Sequence, residues 1–320
     1  MLEIEDFRGD FETISQMMER SWAESSYQPL LYEPDFLGSC FAYPGASFSL
    51  TATIYKNNEP LAFGAVLPRR VRLAGRDLNL GIIAFLTAAK EYKKRGYGII
   101  VWQELVRRAR VAGLDGMLNY CIEGEAMNGM ISGCSRMLKL PISHGYVVQY
   151  WSRMLQPKKP EGAADKPGPD IVQHLIELAS SLDGQTSLSR LWSAGEADWQ
   201  CRRRFGSIVA EFECGQRRGM LTGYIMSVAN TRRTKCLMVE DVLWGDLKAN
   251  ERDELLEAFL NRAAFAGAQV AVTPVLGYAD LSPFHSARFR PSRQVLHAYL
   301  TVWNGEPFAN KLDSMYIDVF

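Results

Sequence analysis

The stretch Lys90-Glu-Tyr-Lys-Lys-Arg-Gly-Tyr-Gly98 places three consecutive cations, Lys93, Lys94 and Arg95, immediately before two closely spaced glycines, Gly96 and Gly98. Glycine tolerates backbone conformations that other residues resist and lets a ligand come close. Directly afterwards Ile99, Trp102, Leu105, Val106, Ala109 and Ala112 recur at helical spacing, with Gln103, Arg107, Arg108 and Arg110 between them and Gly113 as a stop. The first amides of such a helix have no internal partner, and the macrodipole adds partial positive charge there. Residues 93–99 therefore predict a cradle for a phosphate or pyrophosphate. A Walker loop is excluded because no G-x-x-x-x-G-K-[ST] occurs, and a dinucleotide fingerprint because G-x-G-x-x-G is absent.

Other side chains could supply acid–base chemistry. Glu123 and Glu125 follow an apolar run, Gly116–Ile122, where a carboxylate could serve as a general base or simply as a loop or helix N-terminal charge. His144 could titrate near neutrality or be a structural loop residue. Cys121 and Cys134 have no His or Asp partner by motif and read as small buried hydrophobes. The six cysteines contain no C-x-x-C pair, so reduced thiols are expected and no metal site. Arg202–Arg204, Arg217–Arg218 and Arg232–Arg233 read as exposed strand and turn ends, and His285 with Arg288 and Arg290 as a surface or substrate loop.

The elements that must position these groups follow from periodicity. Leu78–Ala88 is apolar or glycine apart from Asn79 and Thr87, which suits a strand covered on both faces. Upstream, Leu2–Phe7 reads as a strand, Asp10 as the N-cap of a helix carrying Phe11, Ile14, Met17 and Met18, and Glu33–Phe41 as a second helix. Ser47–Tyr55 and Leu61–Leu73 are paired strands joined at Asn57-Asn-Glu-Pro60. Downstream come Gly116–Ile122, a helix over 127–138 and a strand over Tyr146–Met154, for an order β-α-α-β-β-β-α-β-α-β.

Residues 156–170, QPKKPEGAADKPGPD, hold four prolines and no large apolar residue, and mark a linker. Beyond it, helices over Ile171–Leu182 and Asn250–Ala266 and strands over Ser207–Cys214, Leu221–Val228, Lys235–Leu243, Gln269–Val275 and Val295–Trp303 repeat much of the same order. Trp192, Trp199, Trp244 and Trp303 are expected in the core or cleft walls. The 320-residue chain is long enough for two domains. Thirty-six basic residues balance thirty-six acidic ones, which gives no reason to expect nucleic acid or an anionic membrane as partner. The N-terminus lacks a signal-like apolar core and no apolar run nears ~20 residues, so a soluble, cytoplasmic protein, monomeric or homodimeric, is expected.

Strand, Glu91-Tyr-Lys-Lys-Arg-Gly-Tyr-Gly98, helix, Gly113 and a second apolar strand, in that order, resemble motif A of the GNAT superfamily of acyl-CoA-dependent N-acyltransferases, whose loop reads [QR]-x-x-G-x-[GA]. Gly96 and Gly98 match; Lys93 stands where Gln or Arg is usual, keeping the charge but losing the guanidinium fork. The resemblance implies an α+β protein of two GNAT-type domains, each a mixed, mostly antiparallel twisted sheet flanked by helices. Residues 1–155 would form the acyl-CoA-binding domain and 171–320 a degenerate copy, since Trp244–Ala249 carries no basic glycine motif.

By that resemblance acetyl-CoA or another acyl-CoA is the co-substrate. Its pyrophosphate would sit on Lys93, Lys94, Arg95, Gly96, Tyr97, Gly98 and Ile99. Its carbonyl would meet backbone amides near Phe85, Leu86 and Thr87, and its pantetheine arm Asn128. Glu123 is the candidate base, and Ser135 stands near the place of the tyrosine that protonates the departing thiolate. The expected activity is transfer of an acetyl or other acyl group to an amine of a small molecule or peptide by direct attack. Two alternatives are a non-catalytic acyl-CoA-binding module and a Fem-type transferase using aminoacyl-tRNA; the basic glycine loop, suited to a compact pyrophosphate, favours CoA.

Overall fold

The computed structural model describes residues 3–23, 30–123, 131, 133, 138–156, 168–229, 233–304 and 312–319. Residues Glu125, Asn128, Cys134, Ser135 and Arg232, which carried sequence expectations, lie outside the described residues. The chain divides into two compact units, residues 1–147 with 294–312, and residues 148–293 with 313–319.

The first unit opens with β1 (Glu3–Glu5) and α1 (Phe11–Trp22). The Asp10 carboxylate caps α1 by accepting from the Thr13 N–H at 3.0 Å, and Ile14, Met17 and Met18 are buried at i, i+3 and i+4. After β2 (Leu30–Leu31) and α2 (Pro34–Phe41) come β3 (Thr51–Lys56), β4 (Glu59–Leu73) and β5 (Arg76–Ala88). α3 (Tyr97–Val111) and β6 (Gly116–Ile122) follow, then β7 (Ile142–Met154), whose first residues belong to this unit. The expected strand from Ser47 starts later, because Phe48–Leu50 forms a 3-10 turn.

β1, β3, β4 and β5 pair antiparallel in succession, β5 pairs parallel with β6, and β6 pairs antiparallel with β13 (Arg290–Val302). The register of that last pair runs from Leu296–Ile122 to Val302–Gly116. Seven backbone pairs tie residues 296–302 to the first unit, although they follow the proline-rich stretch in sequence. The division falls inside β7, between Val147 and Val148, upstream of residues 156–170. Strand pairing, not a shift in composition, decides which unit a strand joins.

α3 covers one face of this sheet. It buries Val101, Trp102, Leu105, Val106 and Ala109 against Ile54, Ala62, Val66, Ile83 and Met117. Val101 replaces Ala112 in the expected face, since Ala112 is exposed past the last turn.

The second unit contains α4 (Ile171–Ser180), β8 (Leu188–Arg190), α5 (Ala194–Asp198) running into a π-turn over Trp199–Arg203, β9 (Ser207–Cys214), β10 (Arg217–Val228) and β11 (Thr234–Leu243). α6 (Ala249–Phe265), β12 (Val270–Val275), α7 (Ser282–Ser286) and β14 (Met315–Tyr316) complete it. β9, β10 and β11 pair antiparallel, β11 pairs parallel with β12, and β12 pairs antiparallel with residues 149–154 of β7. Leu255, Leu256, Phe259, Leu260 and Ala263 of α6 form its core with Leu221, Leu237 and Val239. Trp192, Trp199 and Trp244 are buried as expected. The arginine run is not uniformly exposed: Arg204 is buried and paired with Glu240.

Candidate active site

β5 and β6 are parallel neighbours for only three residues, Leu80–Gly116, Gly81–Met117 and Ile82–Leu118. β5 runs on to Ala88 and stays paired with β4, while β6 runs on to Ile122 and stays paired with β13. The two strands therefore part, leaving a wedge between 83–88 and 119–122.

At the wedge the β4–β5 register breaks. Ala65 pairs with Ala84 and Phe63 with Thr87, so Gly64 alone faces both Phe85 and Leu86. This is a bulge, and Phe85 adopts φ 62°, a left-handed conformation rare for a bulky residue. Its ring is held in an aromatic cluster, 5.2 Å from Tyr32 and 6.3 Å from Phe41, which fixes the strained backbone. A Cβ on Gly64 would lie 2.9 Å from Leu105, 3.0 Å from Val101 and 3.2 Å from Leu86, so a larger residue here would press on the side-chain methyls with which α3 and Leu86 close over this point.

Past β5, the loop expected to form an anion cradle leads into the N-terminus of α3. Gly96 caps α3 with φ 85° and Lys94 is also left-handed at φ 61°. The N–H groups of Gly96, Tyr97 and Gly98 have no partner among the described residues, and a Cβ on Gly96 or Gly98 would meet nothing within 4 Å. Helix amides and open space converge where an anion would sit. The three cations differ in placement. All three are exposed, but Arg95 lies 5.4 Å above the Tyr92 ring, whereas Lys93 Nζ donates to the Ser21 carbonyl at the end of α1. Lys93 thus fastens the loop to α1.

Asn119, just past the last β5–β6 pair, was not singled out from sequence. Its Oδ1 accepts from Trp102 Nε1 at 2.9 Å, while its buried Nδ2 has no partner. Thr87 Oγ1, on the other side of the wedge, is also buried and unpaired. Buried polar atoms of this kind call for a ligand or water.

Glu123 lies at the open end of β6, and a histidine missed from sequence connects it to His144. His297 Nε2 is 3.7 Å from Glu123 Oε1, and His297 Nδ1 is 2.9 Å from His144 Nε2. His297 is the cross-strand partner of Cys121, which places both on the face carrying Asn119 and α3. Cys121 is buried, as expected for a small hydrophobe. The 153 residues between His144 and His297 hid the pair, since only the β6–β13 register brings them together.

The second unit repeats the backbone and closes the cradle. β11 and β12 also share three parallel pairs, Cys236–Val270 to Met238–Val272, and β11 carries a bulge at Glu240. At the N-terminus of α6, however, the Glu251 carboxylate accepts from the Lys248 N–H at 2.8 Å and from Arg217. Hydrogen bonding by Arg217, then by the Lys248 amide, holds Glu251 at a pKa of about 2. A carboxylate of the chain itself occupies the place where an outside anion would bind.

No protein-family model matches the chain, and no curated protein matches it by sequence. Solved structures do match by fold. N-myristoyltransferase of Saccharomyces cerevisiae, with bound myristoyl-CoA, aligns over 99% of this chain and 85% of its own at TM-score 0.72 and 12% identity. A putative acetyltransferase from Pyrococcus horikoshii aligns over 99% and 94% at TM-score 0.56 and 12% identity, and a GCN5-related N-acetyltransferase from Kribbella flavida over 94% and 70% at TM-score 0.51 and 13% identity. The chain has the GNAT fold in a tandem-like α+β architecture, its sheets mixed and mostly antiparallel. More particularly, it is similar over nearly its whole length to the N-myristoyltransferase form of that fold.

Proposed function

We propose that this chain is an acyl-CoA-dependent N-acyltransferase, moving an acetyl or longer acyl group to an amine of a small molecule or peptide by direct attack. The observation carrying this reading is the parting of β5 and β6 beyond Ile82–Leu118, with the Phe85–Leu86 bulge on one side and the Gly96-capped helix immediately after.

An acyl-CoA brings a pyrophosphate, an amide-bearing arm and a thioester carbonyl. The amides of Gly96, Tyr97 and Gly98, with Lys94 and Arg95 beside them, suit the pyrophosphate in both sign and space. Asn119 Nδ2 offers an unused donor for an arm lying in the wedge. At the bulge the regular alternation of peptide directions is broken, which frees amides near Phe85 and Leu86 to stabilise negative charge developing on the carbonyl oxygen. His297 receives the proton released as the amine attacks, and the Glu123 carboxylate supports the resulting imidazolium. Asn128 at the arm and Ser135 at the departing thiolate keep the roles implied by the resemblance.

Calorimetric titration with acetyl-CoA and myristoyl-CoA, paired with a thiol-release assay over an amine panel, tests the reading. Binding with amine-dependent thiol release is the expected result, and the preferred chain length follows from the same series. Binding without turnover would make the chain an acyl-CoA-binding module, and absence of binding would overturn both.

A further inference from the structure

The second unit holds a cleft of about 520 Å³ between α6, α7 and the end of β7. One wall is the side of α6. Asp253, Glu257 and Asn261 line it at i, i+4 and i+8, and Leu256, Leu260 and Ala264 run beside them with the same spacing. Arg153 and Gln156, at the end of β7, and Pro283 and Ser286 of α7 complete the lining.

Three charged residues of α6 outside the cleft are already engaged. Glu251 pairs with Arg217, Arg252 pairs with Asp280 at 3.0 Å, and Arg262 donates to the Val209 carbonyl at 2.6 Å. Inside the cleft, the side chains of Asp253, Glu257, Asn261, Arg153 and Gln156 make no hydrogen bond or ion pair among the described residues. Asp253 and Glu257 are exposed, so a ligand in the cleft reaches them. Leu256 is 1% and Leu260 5% exposed, so the apolar floor is shallow and takes small side chains.

The spacing suits an extended chain. Four residues of α-helix rise about 6 Å, and alternate side chains of an extended peptide recur at about 6.6 Å. One row of such a peptide's side chains can meet Asp253 and Glu257 in register while the other lies over Leu260 and Ala264. The amides of Asn261 and Gln156 and the guanidinium of Arg153 can pair with peptide N–H and C=O groups.

We propose that this cleft is a docking site for a short extended peptide segment in which basic residues alternate with small ones. Two carboxylates against one guanidinium leave the lining negative, and the basic side chains bring the opposite charge. The inference rests on the second unit alone and holds whether or not the chain transfers acyl groups.

The end-blocked peptide Lys-Ala-Lys-Ala-Lys, fluorescently labelled, is the probe, titrated against the full chain at low ionic strength. Glu-Ala-Glu-Ala-Glu and the triamine spermidine, which carries the same charge as the probe without peptide groups, are the controls. Saturable binding of the basic peptide below about 1 mM is expected, at least about tenfold tighter than either control. Asp253→Asn combined with Glu257→Gln keeps the size of both side chains and should weaken binding about tenfold, the loss expected for two exposed ion pairs. Ser286→Trp, at an exposed position, should fill the cleft and abolish binding with Tm unchanged. Equal binding of spermidine, undiminished binding in either variant, or no binding by wild type would overturn the proposal. So would a dimer, detected by sedimentation, that Ser286→Trp dissociates, because the occupant would then be a second copy of the chain.

Discussion

Ile82 and Leu118 are the last residues through which β5 and β6 pair, and everything assigned to the acyl-CoA site lies beyond that pair. Below it the two strands form an ordinary parallel ladder inside the core. Above it each strand keeps its outer partner and loses its inner one, so the two strands part while their outer edges stay paired.

Gly64 sits opposite the bulge. Gly64→Ala puts a methyl group against Val101, Leu105 and Leu86, the side chains that seat α3 on the bulge. Overpacking of this kind should lower unfolding free energy by about 1–3 kcal/mol, read from the urea midpoint. Acyl-CoA affinity should fall with it because Leu86 must move. An unchanged midpoint would show that α3 is not pressed against β4.

Acid stability should report on α3. Glu104 accepts from Arg107 at 2.6 Å and Arg108 at 2.8 Å, and hydrogen bonding by Arg107 is the main cause holding it at a pKa of about 2. A carboxyl depressed by folding contributes stability above its unfolded pKa of about 4.3 and loses it as pH falls through the folded value. Glu104→Gln should therefore cost about 1 kcal/mol at pH 7, discounted because Arg107 is exposed. The gap from wild type should close between about pH 4.5 and pH 2. Chemical denaturation across that range measures it, and a gap that persists at pH 2 would contradict the assignment.

The histidine pair separates catalysis from binding. His297→Gln preserves size and polarity but cannot accept and hold the proton, so kcat should drop by about 10²-fold with acyl-CoA affinity unchanged. Glu123 is exposed, and Glu123→Gln should have a smaller effect on kcat. Equal losses in affinity and kcat would place His297 in binding rather than proton transfer.

Much of the first unit was legible because its signals are local. The Gly96–Gly98 loop, the α3 periodicity and the Gly113 stop are properties of contiguous residues, and they appear within a residue or two of where spacing places them. What stayed hidden is long-range. The bulge at Phe85 leaves no mark on an apolar run, because a bulge is a relation to Gly64 on another strand. Lys93 reads as part of a cationic trio until α1 supplies the Ser21 carbonyl. Arg204 reads as one of three exposed arginines until Glu240, thirty-six residues on, pairs with it. His297 and residues 294–302 read as part of the second half until β6 claims them.

The most direct test of the proposed acyl-CoA cradle uses Gly98. Unlike Gly96, whose φ of 85° strains any side chain, Gly98 needs no left-handed backbone, and a Cβ there meets nothing within 4 Å. Gly98→Glu should unfold at the wild-type midpoint while placing a carboxylate over the free amides that start α3. Calorimetric titration of wild type and Gly98→Glu with acetyl-CoA and myristoyl-CoA is the decisive measurement. Saturable binding by wild type to at least one of them, abolished in a variant of unchanged stability, is the predicted result; binding that survives the substitution would contradict the pyrophosphate assignment.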